Sequence, residues 1–251
     1  MPDLPESESP ESEVPMRDGA DVAVVIPAAG QGTRMGTETP KQWLDLGGAP
    51  VLVRTLESLA AHPAVGCVVV AVSPDPGSVR DVWRHLQAAP PDLPVRVVTG
   101  GATRRASVEA ALDAVPEAAR VVLVHDAVRP FVPLRLLDDV ITAARAHGAA
   151  VPAVAVADTL RRAGGDGSGG AVFVETVDRE GVYAVQTPQG FDRTLLRRAF
   201  AAVADATTDD AALVAALGHA VRLVPGDRRN VKLTTPDDLA LARVLWPSWQ
   251  G

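Results

Sequence analysis

Residues 22–43, VAVVIPAAGQGTRMGTETPKQW, predict both the fold and one half of a binding site. The apolar run at 22–26 is typical of a strand that is buried on both faces of a parallel sheet. It leads into a loop of small residues, Pro27-Ala28-Ala29-Gly30-Gln31-Gly32-Thr33. Such a loop lets backbone N–H groups approach an anion closely, and Arg34 and Lys41 add two positive charges beside it. We therefore interpret this stretch as a cradle for the phosphates of a nucleotide.

Two better-known phosphate loops fit the same stretch poorly. Gly30 and Gly32 match the first two glycines of the dinucleotide-binding fingerprint, but Met35 occupies the third position. The next apolar run ends in Ser73-Pro74-Asp75, without a clear carboxylate for a ribose. No Gly-Lys-Ser/Thr follows the loop, so it is not a P-loop either. These mismatches disfavour a dehydrogenase and a P-loop NTPase.

Length and composition are those of an ordinary α/β enzyme. The chain has 251 residues, of which 47% are hydrophobic and 4% aromatic, so its core must consist mainly of Val, Leu, Ala and Ile. The single cysteine, Cys67, lies in an apolar run, where a buried and unreactive thiol is expected. No apolar run reaches the roughly 20 residues of a membrane span, and the N-terminus has no signal-peptide pattern. We expect a cytoplasmic location without membrane association.

Most of the net charge of −7 lies at the N-terminus. Residues 1–18 carry six acids and one base, which leaves a charge of −2 for the rest of the chain. A nearly balanced body argues against a nucleic-acid partner, which usually requires a basic face. Residues 1–20 are rich in Pro, Glu and Ser, and we predict that they form a disordered acidic tail. Residues 21–251 then form a single domain.

Lysine is rare in this chain. Only Lys41 and Lys232 are lysines, whereas 22 of the 24 basic residues are arginines. A genome that favours arginine codons is the simple explanation for this ratio of arginine to lysine. Under such a bias, lysine is kept mainly at positions where arginine cannot replace it. A compact ammonium meets a phosphate differently from a planar guanidinium, so both lysines are candidate phosphate ligands.

Apolar runs and helical periods alternate through the first 147 residues. This alternation predicts a Rossmann-like α/β fold with a mostly parallel sheet flanked by helices. Ligands of such folds bind at the carboxyl ends of the strands, so the loops after the first, third and fourth strands should converge. The predicted strands are 22–26, 67–72, 95–98 and 121–124, and the predicted helices are 49–61, 78–88, 104–115 and 134–147.

Two of those loops carry polar groups. In Gly100-Gly101-Ala102-Thr103-Arg104-Arg105-Ala106-Ser107, two glycines precede a helix start that favours anions. An ordinary helix start with exposed arginines is the simpler alternative there. Asp126 follows the fourth strand, where it could bind a sugar hydroxyl, bind a hydrated Mg²⁺, or cap the turn.

The α/β alternation stops after residue 150. Two predicted strands, 151–162 and 171–178, flank the glycine-rich tip Gly164-Gly165-Asp166-Gly167-Ser168-Gly169-Gly170. They predict a protruding β-hairpin arm at about 153–178. A lone hairpin is marginally stable in water, so we expect the arm to pack on a second copy of the chain. Residues 181–191 return to the main sheet, followed by a helix at 211–217, strands at 221–224 and 231–233, and a last helix that begins at Pro236.

Taken together, these motifs resemble the 2-C-methyl-D-erythritol 4-phosphate cytidylyltransferase family. The resemblance covers about residues 22–245. The first motif alone is typical of the wider nucleotidyltransferase superfamily, and the last four are typical of the narrower family. In order, the motifs are PAAGQGTRMG…PKQ, GGATRRAS, VHDAVRP, ADTLRR, VYAVQTPQGF, TTDD and NVKLTTPDDL.

The resemblance implies transfer of CMP from CTP to methylerythritol phosphate, with pyrophosphate released and a divalent ion, usually Mg²⁺, as cofactor. It implies three catalytic residues that stabilise the phosphates, Arg34, Lys41 and Lys232. It also implies a set of nucleotide-binding residues: Pro27, Ala28, Ala29, Gly30, Gln31, Gly32, Thr33, Gly101, Arg104, Ser107, Asp126 and Ala127.

For methylerythritol phosphate, the resemblance implies a site shared between the two subunits of a homodimer. The arm of the partner subunit would contribute positions equivalent to Asp158, Thr159 and Arg179, the last as a phosphate ligand. The subunit that holds CTP would contribute Asp126, Arg129, Thr187, Thr208 and Lys232. No protein ligand set for the metal follows from the sequence: the resemblance implies that the CTP phosphates mainly hold Mg²⁺, with Asp126 nearby, close to the ribose and the alcohol.

Three alternatives stay open at this point. Ribitol 5-phosphate cytidylyltransferases share the CTP half of the site, and only Arg179 and the Asp158-Thr159 pair favour methylerythritol phosphate. Sugar-1-phosphate nucleotidyltransferases are usually longer and lack the arm. A non-catalytic nucleotide-binding protein is disfavoured by the joint presence of Arg34, Lys41 and Lys232.

Overall fold

The computed structural model describes residues 14–30, 39–75, 77–88, 92–165, 167, 169–203 and 209–249. The strands are β1 (Val22–Pro27), β2 (Asp45–Leu46), β3 (Ala49–Pro50), β4 (Val65–Val72), β5 (Val95–Thr99), β6 (Val121–Val124), β7 (Ala149–Ala155), β8 (Leu160–Gly165), β9 (Ala171–Val177), β10 (Tyr183–Val185), β11 (Gln189–Asp192) and β12 (Arg222–Pro225). The helices are α1 (Val51–Ala60), α2 (Ser78–Ala88), α3 (Arg104–Asp113), α4 (Leu134–His147), α5 (Arg193–Ala202), α6 (Asp210–Ala216) and α7 (Pro236–Leu245). Lys41–Trp43 and Trp246–Ser248 form 3-10 turns.

The central sheet has eight strands in the order β10-β7-β11-β6-β1-β4-β5, with β12 also paired to β7. The half built from the N-terminal strands is parallel: β1 pairs with both β4 and β6, and β4 pairs with β5. Strands β10 and β11 run antiparallel to their neighbours. This mostly parallel sheet with flanking helices confirms the predicted α/β class.

Alternate residues of β1 face two separate layers of the hydrophobic core. Val22, Val24 and Ile26 belong to a core layer that also contains residues of α1, α2 and α4. Ala23 and Val25 belong to a second layer that contains residues of α3, α5 and α6. Because both faces are covered, the strand is apolar at every position, which is the pattern that made it recognisable in the sequence.

Cys67 lies in β4, within the second of these layers. Its thiol is fully buried, and burial raises its pKa to about 12. The predicted burial of this thiol is confirmed.

The predicted helices and strands between residues 22 and 147 are present, with small shifts at their ends. Helix α1 starts at Val51 rather than at residue 49, because Ala49 and Pro50 pair with β2 as a short strand. The extended segment predicted at 231–233 is not a regular strand. It leads into α7, whose N-cap Thr235 forms a capping box with Asp238.

The boundary of the predicted tail at residue 20 is wrong, because residues 14–20 pack on the domain. Val14 is buried within the second core layer. The backbone N–H of Arg17 donates to the carbonyl oxygen of Gly66 at 3.0 Å, and its guanidinium donates to that of Ala60 at 2.8 Å. Residues 1–13, which carry most of the acidic charge, lie outside the described residues.

The single strand predicted at 151–162 is also wrong, because it is divided between two sheets. Residues up to Ala155 form β7 of the central sheet, where Val154 pairs with Ala184 of β10. The polar pair Asp158-Thr159 interrupts the apolar run, and the chain then enters β8, which pairs only with β9 among the described strands. The hairpin arm therefore consists of 160–177, and Asp166 and Ser168 at its tip lie outside the described residues.

Candidate active site

The carboxyl ends of β1, β5 and β6 open into one cavity of about 230 Å³. The loops after these strands were predicted to converge, and they do. Lys41 and Lys232, which lie far apart in the sequence, both line this cavity. Its full lining is Pro27, Ala28, Ala29, Gly30, Lys41, Gln42, Gly101, Ala102, Thr103, Arg104, Ser107, Asp126, Ala127, Val128 and Lys232.

The first wall is the loop after β1. The N–H of Ala28 donates to the carbonyl oxygen of Ala71 at 2.7 Å, which ties the start of the loop to β4. Gln42 contacts the same loop from the side, because its amide nitrogen donates to the carbonyl oxygens of Ala28 at 3.0 Å and Gly30 at 3.4 Å. Four predicted loop residues, Gln31, Gly32, Thr33 and Arg34, lie outside the described residues.

The second wall is the start of α3. A Cβ atom on Gly101 would lie 2.4 Å from Cβ of Ala106, so a larger residue would displace the turn from the helix. Thr103 caps the helix by accepting the N–H of Ala106 at 3.1 Å. The hydroxyl of Ser107 is turned inward and donates to the carbonyl oxygen of Thr103 at 3.0 Å.

Arg104 belongs to the cavity but is also held from outside it. Its Nη2 atom lies 2.8 Å from Oδ2 of the buried Asp210, at the start of α6. Partial burial opposes the charge of Arg104, but the attraction of Asp210 outweighs it and the pKa of the guanidinium is raised. Arg104 is exposed, as the alternative of an ordinary helix start expected, but it is also held by an ion pair with Asp210.

The third wall joins Asp126 to two cations. Oδ2 of Asp126 lies 2.9 Å from Nζ of Lys232 and 3.2 Å from Nε of Arg129. Burial would raise the pKa of this carboxyl, but Lys232 and Arg129 hold it well below its usual range. Arg129 also donates to the carbonyl oxygen of Asn230 at 2.7 Å. Asp126 thus fixes the ammonium of Lys232 at the edge of the cavity.

A buried hydrogen-bond chain supports Asp126 from behind. The N–H of Asp126 donates to the hydroxyl oxygen of Thr187 at 3.1 Å, and that oxygen lies 3.0 Å from Nδ1 of His125. Nε2 of His125 lies 3.2 Å from the carbonyl oxygen of Arg129. Because a carbonyl can only accept, Nε2 carries the proton and Nδ1 accepts from Thr187. Burial lowers the pKa of His125 to about 4, which keeps the ring neutral.

The remaining predicted residues that the structure describes do not line this cavity. Asp158, Thr159 and Arg179 are exposed at the base of the arm, where the guanidinium of Arg179 contacts the carbonyl oxygen of Ala157. Thr187 is buried behind Asp126. Thr208 lies outside the described residues.

The sequence patterns predicted no role in the site for Gln42, His125, Asn230 or Asp210. All four are buried polar side chains whose partners include residues distant in sequence. Gln42 was quoted within the PKQ motif and His125 within VHDAVRP, so the motifs contained them. Only the hydrogen bonds show what they contact.

A backbone loop at a strand end, two lysines and a carboxylate in one cavity of a mostly parallel α/β fold define a nucleotidyltransferase. The family model "IspD: 2-C-methyl-D-erythritol 4-phosphate cytidylyltransferase" matches residues 22–247. The chain belongs to this family, and its enzyme class is cytidylyltransferase.

Individual relatives agree with the family match. The 2-C-methyl-D-erythritol 4-phosphate cytidylyltransferase of Salinibacter ruber is 52% identical over 232 residues, which cover 91% of this chain and 94% of the relative. That of Streptomyces coelicolor is 45% identical, with 91% of this chain and 86% of the relative covered. The crystal structure of the Thermus thermophilus enzyme superposes with a TM-score of 0.71 at 39% identity, covering 94% of this chain and 100% of the other.

Proposed function

We propose that this chain transfers CMP from CTP to 2-C-methyl-D-erythritol 4-phosphate. A phosphate oxygen of 2-C-methyl-D-erythritol 4-phosphate attacks the α-phosphorus of CTP. The bond between that phosphorus and the oxygen that bridges it to the β-phosphate breaks. The products are 4-diphosphocytidyl-2-C-methyl-D-erythritol and pyrophosphate. The observation that carries this proposal is the meeting of the β1 loop, Lys41 and Lys232 in one cavity, in a chain of this family.

The reaction requires charge stabilisation more than proton transfer. The attacking phosphate is already ionised at neutral pH, so no general base is needed. Negative charge accumulates around the α-phosphate and on the leaving pyrophosphate, and preorganised cations reduce the barrier to phosphoryl transfer. Lys41 and Lys232 supply two such cations in the cavity. Arg34, the third proposed cation, lies outside the described residues.

The nucleotide would occupy the length of the cavity. Residues 28–30 offer backbone groups for the triphosphate, together with Gln31, Gly32 and Thr33 of the same loop. Gly101, Arg104 and Ser107 line the cavity after β5, and we assign them to cytosine and ribose. Asp126 and Ala127 line it after β6.

The donor set is compatible with Mg²⁺. Among the described residues that line the cavity, Asp126 is the one acid, and its ion pairs with Lys232 and Arg129 both use Oδ2. No described group of three His, Cys, Asp or Glu side chains could hold a metal on its own. Protein-bound Mg²⁺ commonly combines one or two carboxylates with substrate phosphates, so Asp126 and the triphosphate would hold it together. The ion would neutralise charge on the phosphates.

The acceptor site would be completed by a second copy of the chain. Asp158, Thr159 and Arg179 are exposed and do not line the described cavity of their own chain. They lie at the base of the arm, a two-stranded hairpin with Val172, Phe173 and Val174 exposed. Exposed apolar side chains on a separate hairpin favour a protein partner. We therefore propose a homodimer through the arm, with Arg179 of one subunit binding the acceptor phosphate beside Arg129, Thr187, Thr208 and Lys232 of the other.

The experiment that tests this function measures Mg²⁺-dependent release of pyrophosphate from CTP with either methylerythritol phosphate or ribitol 5-phosphate as acceptor. We expect strong preference for the first, since the family match favours it. Preference for ribitol 5-phosphate would keep the CTP site and remove the assignment of Thr159 and Arg179. No release with either acceptor would contradict the proposed reaction.

The cytoplasmic location and the organisation as a single domain stay predictions from the sequence. Separately, within the described ranges no helix is long and apolar enough to cross a bilayer.

A further inference from the structure

The side chain of Gln42 connects two parts of the cavity that the proposed reaction requires. Its carboxamide contacts the loop after β1, and its backbone belongs to the Lys41–Trp43 turn, which carries Lys41 into the same cavity. Only 6% of Gln42 is exposed. One buried residue thus connects the loop after β1 with the turn that carries Lys41, a proposed catalytic residue.

Both contacts of Gln42 use the same nitrogen. Nε2 donates to the carbonyl oxygens of Ala28 and Gly30, so the amide's two protons have two acceptors. In a planar trans peptide, the carbonyl and the following N–H point in opposite directions. Holding the carbonyl of Ala28 towards Gln42 therefore turns the N–H of Ala29 to the opposite side, and Ala29 lines the cavity.

The turn that carries Gln42 is itself anchored. The N–H of Trp43 donates to the carbonyl oxygen of Pro40 at 2.9 Å. The indole of Trp43 stacks on His85 of α2 with ring centroids 5.0 Å apart. On the other side, Ala28 is tied to β4 through Ala71. Gln42 therefore bridges two supported segments and fixes their distance.

We propose that Gln42 is a positioning residue for the triphosphate: its carboxamide orients the loop after β1 and holds it in register with Lys41. The proposal rests on the proposed CTP site. It differs from a role in packing, because an apolar side chain of the same length would fill the space without orienting the two carbonyl groups.

Gln42→Met and Gln42→Glu separate these two roles. Methionine keeps the length and removes both hydrogen bonds, whereas glutamate keeps the shape and places an acceptor against two carbonyl oxygens. Binding of CTP and of cytidine is measured by calorimetry for each variant and for the unaltered chain, with thermal unfolding as the test of folding. If Gln42→Met does not fold, Gln42→Asn replaces it, since a shorter amide cannot reach both carbonyls.

We expect both variants to bind CTP about tenfold more weakly, the scale of lost hydrogen bonds, and to bind cytidine within about twofold of the unaltered chain. Equal weakening of CTP and cytidine would overturn the proposal, because it would show a general effect on the fold. Normal CTP binding by Gln42→Met would also overturn it. If the unaltered chain binds CTP no better than cytidine, the proposed CTP site itself is wrong, which is a separate outcome.

Discussion

Nζ of Lys232 lies 2.9 Å from Oδ2 of Asp126, at the edge of the cavity. The lysine side chain is 41% exposed and that of Asp126 is 11% exposed, so the carboxylate is the fixed partner and the ammonium is the accessible one. Arg129 approaches the same oxygen from the buried side. A carboxylate shared by two cations leaves positive charge in excess, which suits a site for a polyphosphate.

Asp126→Asn should impair both stability and activity. The replacement leaves Arg129 as a buried charge without its carboxylate, which typically costs about 3 kcal/mol, and it releases Lys232 from its fixed position. We expect a free energy of unfolding lower by that order and a kcat lower by at least about tenfold. Urea unfolding and steady-state kinetics measure the two effects. Asp139→Asn on α4 is the matched control, because Asp139 is only partly buried and its ion-pair partner Arg135 is exposed. An unchanged kcat in a folded Asp126→Asn protein would contradict the positioning of Lys232 by Asp126.

Substitutions of Lys41 test whether a lysine is required at this position of the cavity. We expect Lys41→Ala to reduce kcat by about 100-fold or more, the scale of a lost preorganised charge in a transition state. Lys41→Arg keeps the charge but replaces a compact ammonium with a planar fork, so it should recover only part of the activity. Both values come from pyrophosphate release at saturating CTP. A decrease below about tenfold for Lys41→Ala, which is only ~1.4 kcal/mol, would remove Lys41 from the catalytic set.

Because His125 is buried and neutral, we expect the stability of the protein to decrease as the pH falls. The pKa of His125 is about 4 in the folded protein and close to 6.5 in an unfolded chain. Between these values the unfolded state binds more protons, so stability is complete above about pH 6.5 and decreases as the pH falls towards 4. The pKa difference corresponds to about 3 kcal/mol.

Urea unfolding of the unaltered chain and of His125→Asn between pH 4 and 7 measures this contribution. We expect the loss of stability over that interval to be smaller by about 3 kcal/mol in the variant. His219→Asn provides the matched control, because His219 is only partly buried and its ring contacts the carbonyl oxygen of His147. Equal pH dependence in His125→Asn and the unaltered chain would show that His125 is not held neutral by burial.

The sequence predicted the elements that have strong local patterns. Continuous apolar runs identified the buried parallel strands, and the loops at their ends converge because parallel strands present their carboxyl ends together. The rarity of lysine singled out Lys41 and Lys232, and the cavity contains both. The break within 151–162 was missed, because small apolar residues continue to the end of β7 and only a short polar pair separates it from the arm.

The contacts between distant residues could not be predicted in this way. Arg104 and Asp210 form an ion pair across two helices, and Gln42 bonds to carbonyl groups that have no side-chain pattern. The tautomer of His125 follows from one hydroxyl and one carbonyl that meet only in the folded chain. Such roles depend on tertiary geometry, so a motif can contain the residue without showing its partner.

The arm predicts a dependence of activity on assembly. Val174 is 57% exposed on β9, and a carboxylate there would be buried without a partner if the arm packs on a second copy, which is costly. We expect Val174→Asp to shift the chain towards a monomer in analytical ultracentrifugation and to reduce acceptor-dependent turnover, while CTP binding changes little. Val244→Asp is the matched control, because Val244 is 75% exposed on α7, away from the arm. If Val174→Asp stays dimeric and fully active, the apolar side chain of Val174 does not contribute to the interface. If the unaltered chain is itself a fully active monomer, the proposal that Arg179 acts across subunits is wrong.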